Sequence, residues 1–206
     1  MSLRIVAGRY RRRQLRANPG SVTRPITDRM KETLFNRLNG LEGARVADVF
    51  AGTGTMGLEC LSRGAAAAVF FEYDRKAIEL LKANVEAIAD GDAAFCWRVD
   101  VTRTSFRPKG LDLHLPYSWV FFDPPYKLSS ELAEGRTLGK SLARLARPHL
   151  TTESCTLVLR TPRELPLLLG PQWEETHQLL ISSSRISICQ KRSTEDPTSQ
   201  NPGEVD

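Results

Sequence analysis

An acid, two prolines and an aromatic residue, Asp123-Pro124-Pro125-Tyr126, directly follow a hydrophobic run that is typical of a buried strand. Neither proline can donate a backbone N–H, and Pro125 restricts the residue before it to an extended conformation. The segment therefore predicts a stiff loop that presents carbonyl oxygens, a carboxylate and an aromatic ring. Such a loop suits a flat group that carries N–H donors, and the amine of a nucleobase has this chemistry.

The reaction that best suits this loop is methylation of that amine. An exocyclic amine is a poor nucleophile because its lone pair is conjugated with the ring. If the Asp123 carboxylate and the Pro124 carbonyl accept its two hydrogens, the nitrogen can become pyramidal and aim its lone pair at a sulfonium methyl group. Tyr126 can stack on the base, and whether Asp123 also takes the departing proton is open. A plain strand-end turn is the alternative use of these residues.

A glycine-rich motif, Gly52-x-Gly54-x-x-Gly57, lies between a predicted strand and a predicted helix. This arrangement is the fingerprint of nucleoside binding, in which the first two glycines allow a turn and a close ligand, and the third packs the helix on the sheet. Glu72 lies at the end of the next predicted strand. A carboxylate at that place can bind both hydroxyls of a ribose.

Three features favour S-adenosylmethionine over the nicotinamide and flavin dinucleotides that share this fingerprint. Asp48 precedes the glycines and can attract the ammonium group of the methionine moiety. Asp100 ends the third predicted strand and can accept from an adenine amine, although a turn cap is the alternative. The Asp123 loop ends the fourth. Together with Glu72, these three acids come at the C-terminal ends of four predicted strands, which is the edge where open α/β sheets bind ligands.

The elements that position these residues alternate between strands and helices, which predicts a parallel sheet with right-handed crossovers. Strands are expected at 45–50, 67–72, 95–99, 119–122 and 156–160. A closing antiparallel pair, 173–182 and 185–191, completes a seven-stranded, mostly parallel sheet with one reversed strand. Helices are expected at 28–38, 58–63, 74–89 and 130–145, with an irregular excursion at 103–118.

The first forty residues are strongly basic. Residues 1–45 contain eleven Lys and Arg against three Asp and Glu, whereas the whole chain carries a net charge of only +5. This asymmetry indicates a polyanionic partner, with a solvated basic face as the alternative. Apolar runs around Gly8 predict a β-hairpin over 3–16 rather than a flexible tail, and Thr27 is a good N-cap for the helix that follows.

The side chains expected to bind RNA phosphates all lie in this basic region, and Tyr10 offers a stacking surface among them. They are Arg9, Arg11, Arg12, Arg13, Arg24, Arg29 and Lys31. We expect residues 1–40 to form an RNA-binding extension, 41–192 the catalytic domain, and 193–206, which carry four acids and no base, a disordered tail.

Composition excludes several classes of protein. No apolar run approaches the roughly 20 residues of a membrane span, and the N-terminus has no secretory signal. The four cysteines are scattered and the three histidines are isolated, so neither type shows metal-ligand spacing. We therefore expect a cytoplasmic protein with free thiols, no metal and no membrane partner.

Several longer motifs resemble the bacterial 16S ribosomal RNA guanine-N2 methyltransferase family, a group of class I methyltransferases. The resemblance extends from Arg4 to about Lys191. Because DNA and RNA amino-methyltransferases share the Asp123 loop, the more specific motifs lie elsewhere. They are Arg4-Ile5-Val6-Ala7-Gly8, the segment Thr23-Arg24-Pro25-x-Thr27-Asp28-Arg29-x-x-Glu32-Thr33-Leu34-Phe35-Asn36, the segment from Asp48 to Ala65, Glu72-x-Asp74-Arg75 and Asn84.

The resemblance implies a Rossmann-like fold, S-adenosylmethionine as cofactor and 16S rRNA as substrate, within a small-subunit assembly particle. It also implies catalytic roles for Asp123, Pro124, Pro125 and Tyr126. It implies cofactor contacts at Asp48, Phe50, Ala51, Gly52, Thr53, Gly54, Glu72 and Asp100. The chain departs from the family in a longer segment at 107–118 and in a last strand without an aromatic residue.

We therefore expect methyl transfer to the N2 amine of a guanine that has been turned out of its helix or loop. An N6-adenine DNA methyltransferase is one alternative, although the chain has no obvious target-recognition domain for DNA. A non-catalytic RNA-binding assembly factor and an oxidoreductase are the others, and the intact loop and glycine motif argue against the assembly factor.

Overall fold

A computed structural model describes residues 3–17 and 26–193 of the chain. Two expectations lie outside these residues. They are the RNA contact at Arg24 and the disordered tail, of which only residue 193 is described.

A short hairpin and a helix precede a seven-stranded sheet with further helices. The hairpin strands are β1 (Leu3–Arg4) and β2 (Gln14–Leu15), which pair antiparallel as predicted. The sheet strands are β3 (Arg45–Val49), β4 (Ala67–Glu72), β5 (Ala94–Arg98), β6 (Tyr117–Phe122), β7 (Thr151–Pro162), β8 (Trp173–Ile181) and β9 (Ser184–Lys191). The α-helices are α1 (Asp28–Phe35), α2 (Thr55–Ser62), α3 (Arg75–Ile88) and α4 (Thr137–Leu145).

The strand order in the sheet is β5-β4-β3-β6-β7-β9-β8. β3 to β7 are parallel, and β9 runs antiparallel to both of its neighbours, β7 and β8. The predicted seven-stranded sheet with one reversed strand is therefore confirmed. Since β3 is the first strand of this sheet in the sequence and lies centrally, the strand order reverses beside it, where open sheets of this kind bind ligands.

The sheet has a hydrophobic core on each face. Successive residues of a strand point to opposite faces, so Phe70 packs with α1, α2, α3 and the hairpin, whereas Phe71 packs with α4 and the excursion. Because both faces are covered, β3, β4 and β6 have almost no exposed residues, as expected for parallel strands.

A buried carboxylate fastens the hairpin to the sheet domain. Glu59 of α2 has no exposed surface, and its two oxygens accept from the backbone N–H groups of Val6 and Ala7 at 2.8 and 3.1 Å. The Arg63 Nε donates to the same carboxylate at 2.8 Å. The hairpin also contributes Leu3, Ile5, Tyr10 and Leu15 to the first core. The division at residue 40 stays a prediction.

Three helix predictions were wrong in their bounds. α2 begins at Thr55 rather than Leu58, since Gly54 in a left-handed conformation turns the chain straight into the helix. The helix predicted over 130–145 is a 3-10 segment, Tyr126–Leu132, followed by the shorter α4. Gly135, with φ +78°, separates the two. α1 likewise ends at Phe35 instead of Leu38.

The predicted excursion is irregular but well anchored. Phe106 is fully buried and its ring lies 5.3 Å from that of Phe71. The Tyr117 hydroxyl donates to the Phe106 carbonyl at 2.9 Å, and the Arg144 guanidinium donates to the carbonyls of Thr102 and Thr104. The segment thus covers the sheet face where a crossover helix would otherwise pack.

Within the described ranges, no helix is both long and apolar enough to cross a membrane. All four cysteines, Cys60, Cys96, Cys155 and Cys189, are free thiols as predicted.

Candidate active site

The four predicted acids lie along one edge of the sheet. In the register of β3, β4 and β6, Val49 is level with Phe71 on one side and Phe122 on the other. Glu72 and Asp123, the residues after these two phenylalanines, therefore flank the end of β3. Asp100 follows β5 by two residues, and β5 is level with Glu72 at Arg98. The fold thus brings together residues that are far apart in the sequence.

The glycine loop leaves β3 through a strained residue. Phe50 has φ +63°, a left-handed conformation that non-glycine residues rarely adopt outside functional sites. Its ring packs edge-on against Phe122 at 5.3 Å. Gly52 is also left-handed, with φ +57°, and a Cβ added there would meet no atom within 4 Å. The backbone at Gly52 therefore faces open space that a ligand can approach.

The other two glycines of the motif are required by packing. A Cβ on Gly57 would overlap the Phe70 ring, so the predicted role of the third glycine in seating the helix is confirmed. A Cβ on Gly54 would overlap Leu81 of α3. Gly54 was expected to give room to a ligand, but its φ of +87° and this contact show that it gives room to α3.

Glu72 ties the glycine loop to the end of β4. Its carboxylate accepts three backbone N–H bonds, from Gly52 at 2.7 Å, Tyr73 at 2.8 Å and Asp74 at 2.7 Å. Burial raises the pKa of Glu72, and these bonds oppose the rise. Since a carboxylate offers about four acceptor positions, binding of both ribose hydroxyls would have to displace one of the three donors.

Asp48 lies beneath the glycine loop rather than on its surface. Asp48 is only 2% exposed. Its Oδ2 accepts a hydrogen bond at 2.8 Å from the N–H of Gly57, which lies in the first turn of α2. Burial raises the pKa of Asp48 to about 7, with smaller contributions from Asp123 and Glu72. Asp48 is thus enclosed beneath the loop, and its attraction of the methionine ammonium group stays a prediction.

Asp100 caps its own turn. Its Oδ1 accepts from the backbone N–H of Thr102 at 2.9 Å and from the Thr102 hydroxyl at 2.7 Å. These bonds lower the pKa of Asp100 below its usual value. The turn cap, which was the alternative for this residue, is therefore present, and a contact to adenine stays a prediction.

The Asp123 loop is held against the glycine loop and the antiparallel end of the sheet. The Asp123 N–H donates to the Val49 carbonyl at 3.2 Å, and its Oδ1 accepts from the Arg160 Nε at 2.7 Å. Pro124 is buried. The Pro125 carbonyl accepts from the Leu128 N–H at 2.8 Å, which starts the 3-10 segment.

The Tyr126 ring is fixed at its hydroxyl and open on its surface. The hydroxyl lies 2.5 Å from the Ser184 Oγ, whereas the residue is 37% exposed. This arrangement leaves an aromatic surface beside the carboxylate. Arg160 and Ser184 were not predicted as site residues. Arg160 directly follows the buried run 156–159, as Asp123 follows 119–122, and this parallel was the available signal.

The expected RNA-binding side chains differ in their exposure. Four arginines are exposed on the hairpin turn: Arg9, Arg11, Arg12 and Arg13. Arg29 is exposed in the first turn of α1. Lys31 was expected on the surface, and this is wrong. Its side chain is fully buried, and its ammonium donates to the Arg4 carbonyl and pairs with Asp28.

The stacking role expected for Tyr10 is also not supported by its position. Tyr10 is 9% exposed, and its hydroxyl donates to Asp90 at 2.8 Å.

The hairpin turn that carries the arginines lies far from the Asp123 loop. The Arg9 N–H donates at 2.8 Å to Ser62, the last residue of α2, whereas α2 begins at the glycine loop. Eight helical residues span about 12 Å, which separates the arginines from the acids.

No group of three or more His, Cys, Asp and Glu in the described part of the chain could hold a metal ion. The site therefore consists of a glycine loop with an open backbone, buried carboxylates and an exposed aromatic ring on a stiff loop.

Comparison with known proteins identifies relatives over nearly the whole chain. The family described as Conserved hypothetical protein 95 matches residues 3–188. Ribosomal RNA small subunit methyltransferase D of Haemophilus influenzae is 30% identical over 178 residues, 83% of this chain and 84% of that protein. The protein of that name in Escherichia coli is 39% identical over 127 residues, and the alignment spans 61% of either chain.

A solved structure gives the same result for the fold. It is the candidate methyltransferase yhhF of Escherichia coli, with a TM-score of 0.74 and 28% identity, covering 94% of this chain and 99% of that one. The Rossmann-like class I methyltransferase fold is thus confirmed. The chain belongs to the family of methyltransferases that includes ribosomal RNA small subunit methyltransferase D.

Proposed function

We propose that this methyltransferase transfers a methyl group from S-adenosylmethionine to the N2 amine of a guanine in 16S rRNA, in the cytoplasm and within a small-subunit assembly particle. The observation that carries the proposal is the position of the Asp123 loop. It is hydrogen-bonded through the Asp123 N–H to Val49, the last residue of the strand that leads into the glycine loop, and it presents a carboxylate and the exposed Tyr126 ring. The names of the relatives support the choice of RNA.

The residues present fit the cofactor. The open backbone at Gly52 gives room for a nucleoside, and the buried carboxylate of Asp48 favours the ammonium group of its methionine moiety. Glu72 would bind the ribose hydroxyls after one of its three backbone donors is displaced. The cofactor supplies a methyl group on a positively charged sulfur. The protein holds the base that receives the methyl group: the Asp123 carboxylate and the Pro124 carbonyl accept the two amine hydrogens, and Tyr126 stacks on the base.

Methyl transfer then forms one N–C bond and breaks one S–C bond. The N–H that Asp123 accepts is acidic once the nitrogen is alkylated, so its proton can leave to this carboxylate or to water. Because the Ser184 contact fixes the Tyr126 ring before the base arrives, less conformational freedom is lost on binding. The exposed arginines of the hairpin turn would bind phosphates of the RNA backbone at some distance from the site.

Replacing Gly52 by alanine is expected to weaken binding of S-adenosylmethionine by about tenfold or more, because the new Cβ strains the backbone and fills the approach of the ligand. Gly91→Ala is a matched control, since Gly91 is also left-handed, with φ +54° and open space around it, but lies outside the site. Calorimetric titration of both variants checks this. Equal affinities would contradict the assignment of Gly52 to the cofactor site.

The affinity for S-adenosylmethionine is expected to rise several-fold between pH 6 and pH 7.5. The pKa of Asp48 lies at about 7, so its carboxylate is mostly protonated at pH 6 and gains the charge that attracts the ammonium group as the pH rises. Asp48→Asn should remove most of this dependence. Titration of both proteins in a common buffer measures it, and a slope that Asp48→Asn leaves unchanged would show that another group is responsible.

To identify which nucleic acid is the substrate, the protein is incubated with labelled S-adenosylmethionine and either small-subunit particles, 16S rRNA or duplex DNA. Label is expected in the RNA and not in the DNA. Transfer to duplex DNA alone would favour the adenine-specific alternative, which shares the Asp123 loop. Absence of cofactor binding by calorimetry would favour a non-catalytic assembly factor.

A further inference from the structure

Arg160 lies beside Asp123 across two neighbouring strands. Phe122, the last residue of β6, is level with Leu159 of β7, so Asp123 directly after β6 lies beside Arg160, which is still within β7. The Arg160 Nε donates to Asp123 Oδ1 over 2.7 Å, and the two side chains are only 13% and 25% exposed. A pair so sheltered from water interacts more strongly than one on the surface.

The same guanidinium also faces the aromatic part of the loop. It lies 5.9 Å from the centre of the Tyr126 ring, and the Tyr126 hydroxyl contacts Ser184. Ser184 begins β9 and is level with Pro162 of β7. The antiparallel end of the sheet thus holds the loop at two points, Asp123 through β7 and Tyr126 through β9.

We propose that Arg160 is a positioning residue for methyl transfer, an inference that rests on the proposed function. Its Nε donates to Asp123 Oδ1 and so fixes the orientation of the carboxylate that receives the base amine. Its positive charge keeps the carboxylate ionised and therefore a strong hydrogen-bond acceptor. Arg160 acts through Asp123 and does not itself contact the base.

The charges around Asp123 make this role necessary. Burial raises the pKa of Asp123, and Arg160 opposes the rise. Asp48 from β3 also interacts with Asp123, and its negative charge disfavours ionisation, while Tyr126 of the same loop interacts with Arg160. Without Arg160, Asp123 would lose the cation that pairs with it and would remain near a second acid. Its pKa would rise further, and the protonated form, a weaker hydrogen-bond acceptor, would persist to higher pH.

The test compares kcat against pH for wild type, Arg160→Met and Arg160→Lys with RNA and S-adenosylmethionine. In Arg160→Met the acidic limb of the profile is expected to move upward by about one pH unit or more. Arg160→Lys keeps a cation but not the Nε donor, so its limb should stay near that of wild type while kcat falls. Arg163→Met, an exposed arginine three residues further on, should leave the limb in place.

A profile of Arg160→Met that superimposes on wild type would overturn the inference. If melting shows that Arg160→Met is unfolded, Arg160→Lys decides: a lower kcat with an unchanged KM for RNA supports the role, and a wild-type kcat overturns it. The wild-type rate in the same assay keeps the two proposals apart. A wild type that transfers no methyl group contradicts the proposed function, whereas an active wild type with an unmoved limb contradicts only the role of Arg160.

Discussion

Asp123→Asn is expected to lower the rate of methyl transfer by about a hundredfold or more. The side chain keeps its shape, but its charge is lost, and the amide can turn a donor instead of an acceptor towards the base amine. It also leaves the Arg160 guanidinium without its anionic partner. The affinity for S-adenosylmethionine should remain within about twofold of wild type, because Asp123 acts on the acceptor base. Single-turnover rates and calorimetric titration measure the two effects.

Asp112→Asn is a matched control for this experiment. Asp112 also pairs with an arginine, Arg107, at 2.8 Å, but its side chain is 73% exposed and lies in the excursion. It should retain the wild-type rate. If Asp123→Asn were as active as Asp112→Asn, the Asp123 loop would not contact the reacting amine.

Glu59→Ala is expected to lower the free energy of unfolding by about 3–5 kcal/mol, the usual effect of leaving a buried ionic group without its partner. The change removes the acceptor of the Val6 and Ala7 N–H groups and the anion that Arg63 contacts. The hairpin should also lose protection against hydrogen exchange at Val6 and Ala7. Urea unfolding and exchange measurements test both consequences.

Glu79→Ala provides the comparison for this change. Glu79 also pairs with an arginine on its own helix, Arg75, but the two side chains are 63% and 80% exposed. Such a pair contributes little, so this variant should stay within about 0.5 kcal/mol of wild type. Equal unfolding curves for the two alanine variants would mean that Glu59 does not hold the hairpin.

Local pattern was enough to predict the sheet and the acids at its edge. The alternation of strands with amphipathic helices determines a parallel sheet, and in such a sheet Asp48, Glu72, Asp100 and Asp123 must end at one edge. Arg160 could not be assigned in the same way. Its contact with Asp123 depends on the register between β6 and β7, which are joined by a long crossover and have no turn to set their alignment.

The predictions for Lys31 and Tyr10 failed for two different physical reasons. Lys31 lies three and four residues before Leu34 and Phe35, on the apolar face of α1, and its position was therefore that of a buried residue. Tyr10 is enclosed because Gly8 lets the hairpin turn approach Ser62 closely, which only the folded structure reveals.

The most direct test of the proposed function is identification of the modified nucleoside. After reaction with small-subunit particles that lack the modification, 16S rRNA is digested and its nucleosides are analysed by mass spectrometry. We expect N2-methylguanosine as the single new product, absent when Asp123→Asn replaces wild type. A new N6-methyladenosine, or methyl transfer that persists in Asp123→Asn, would contradict the account.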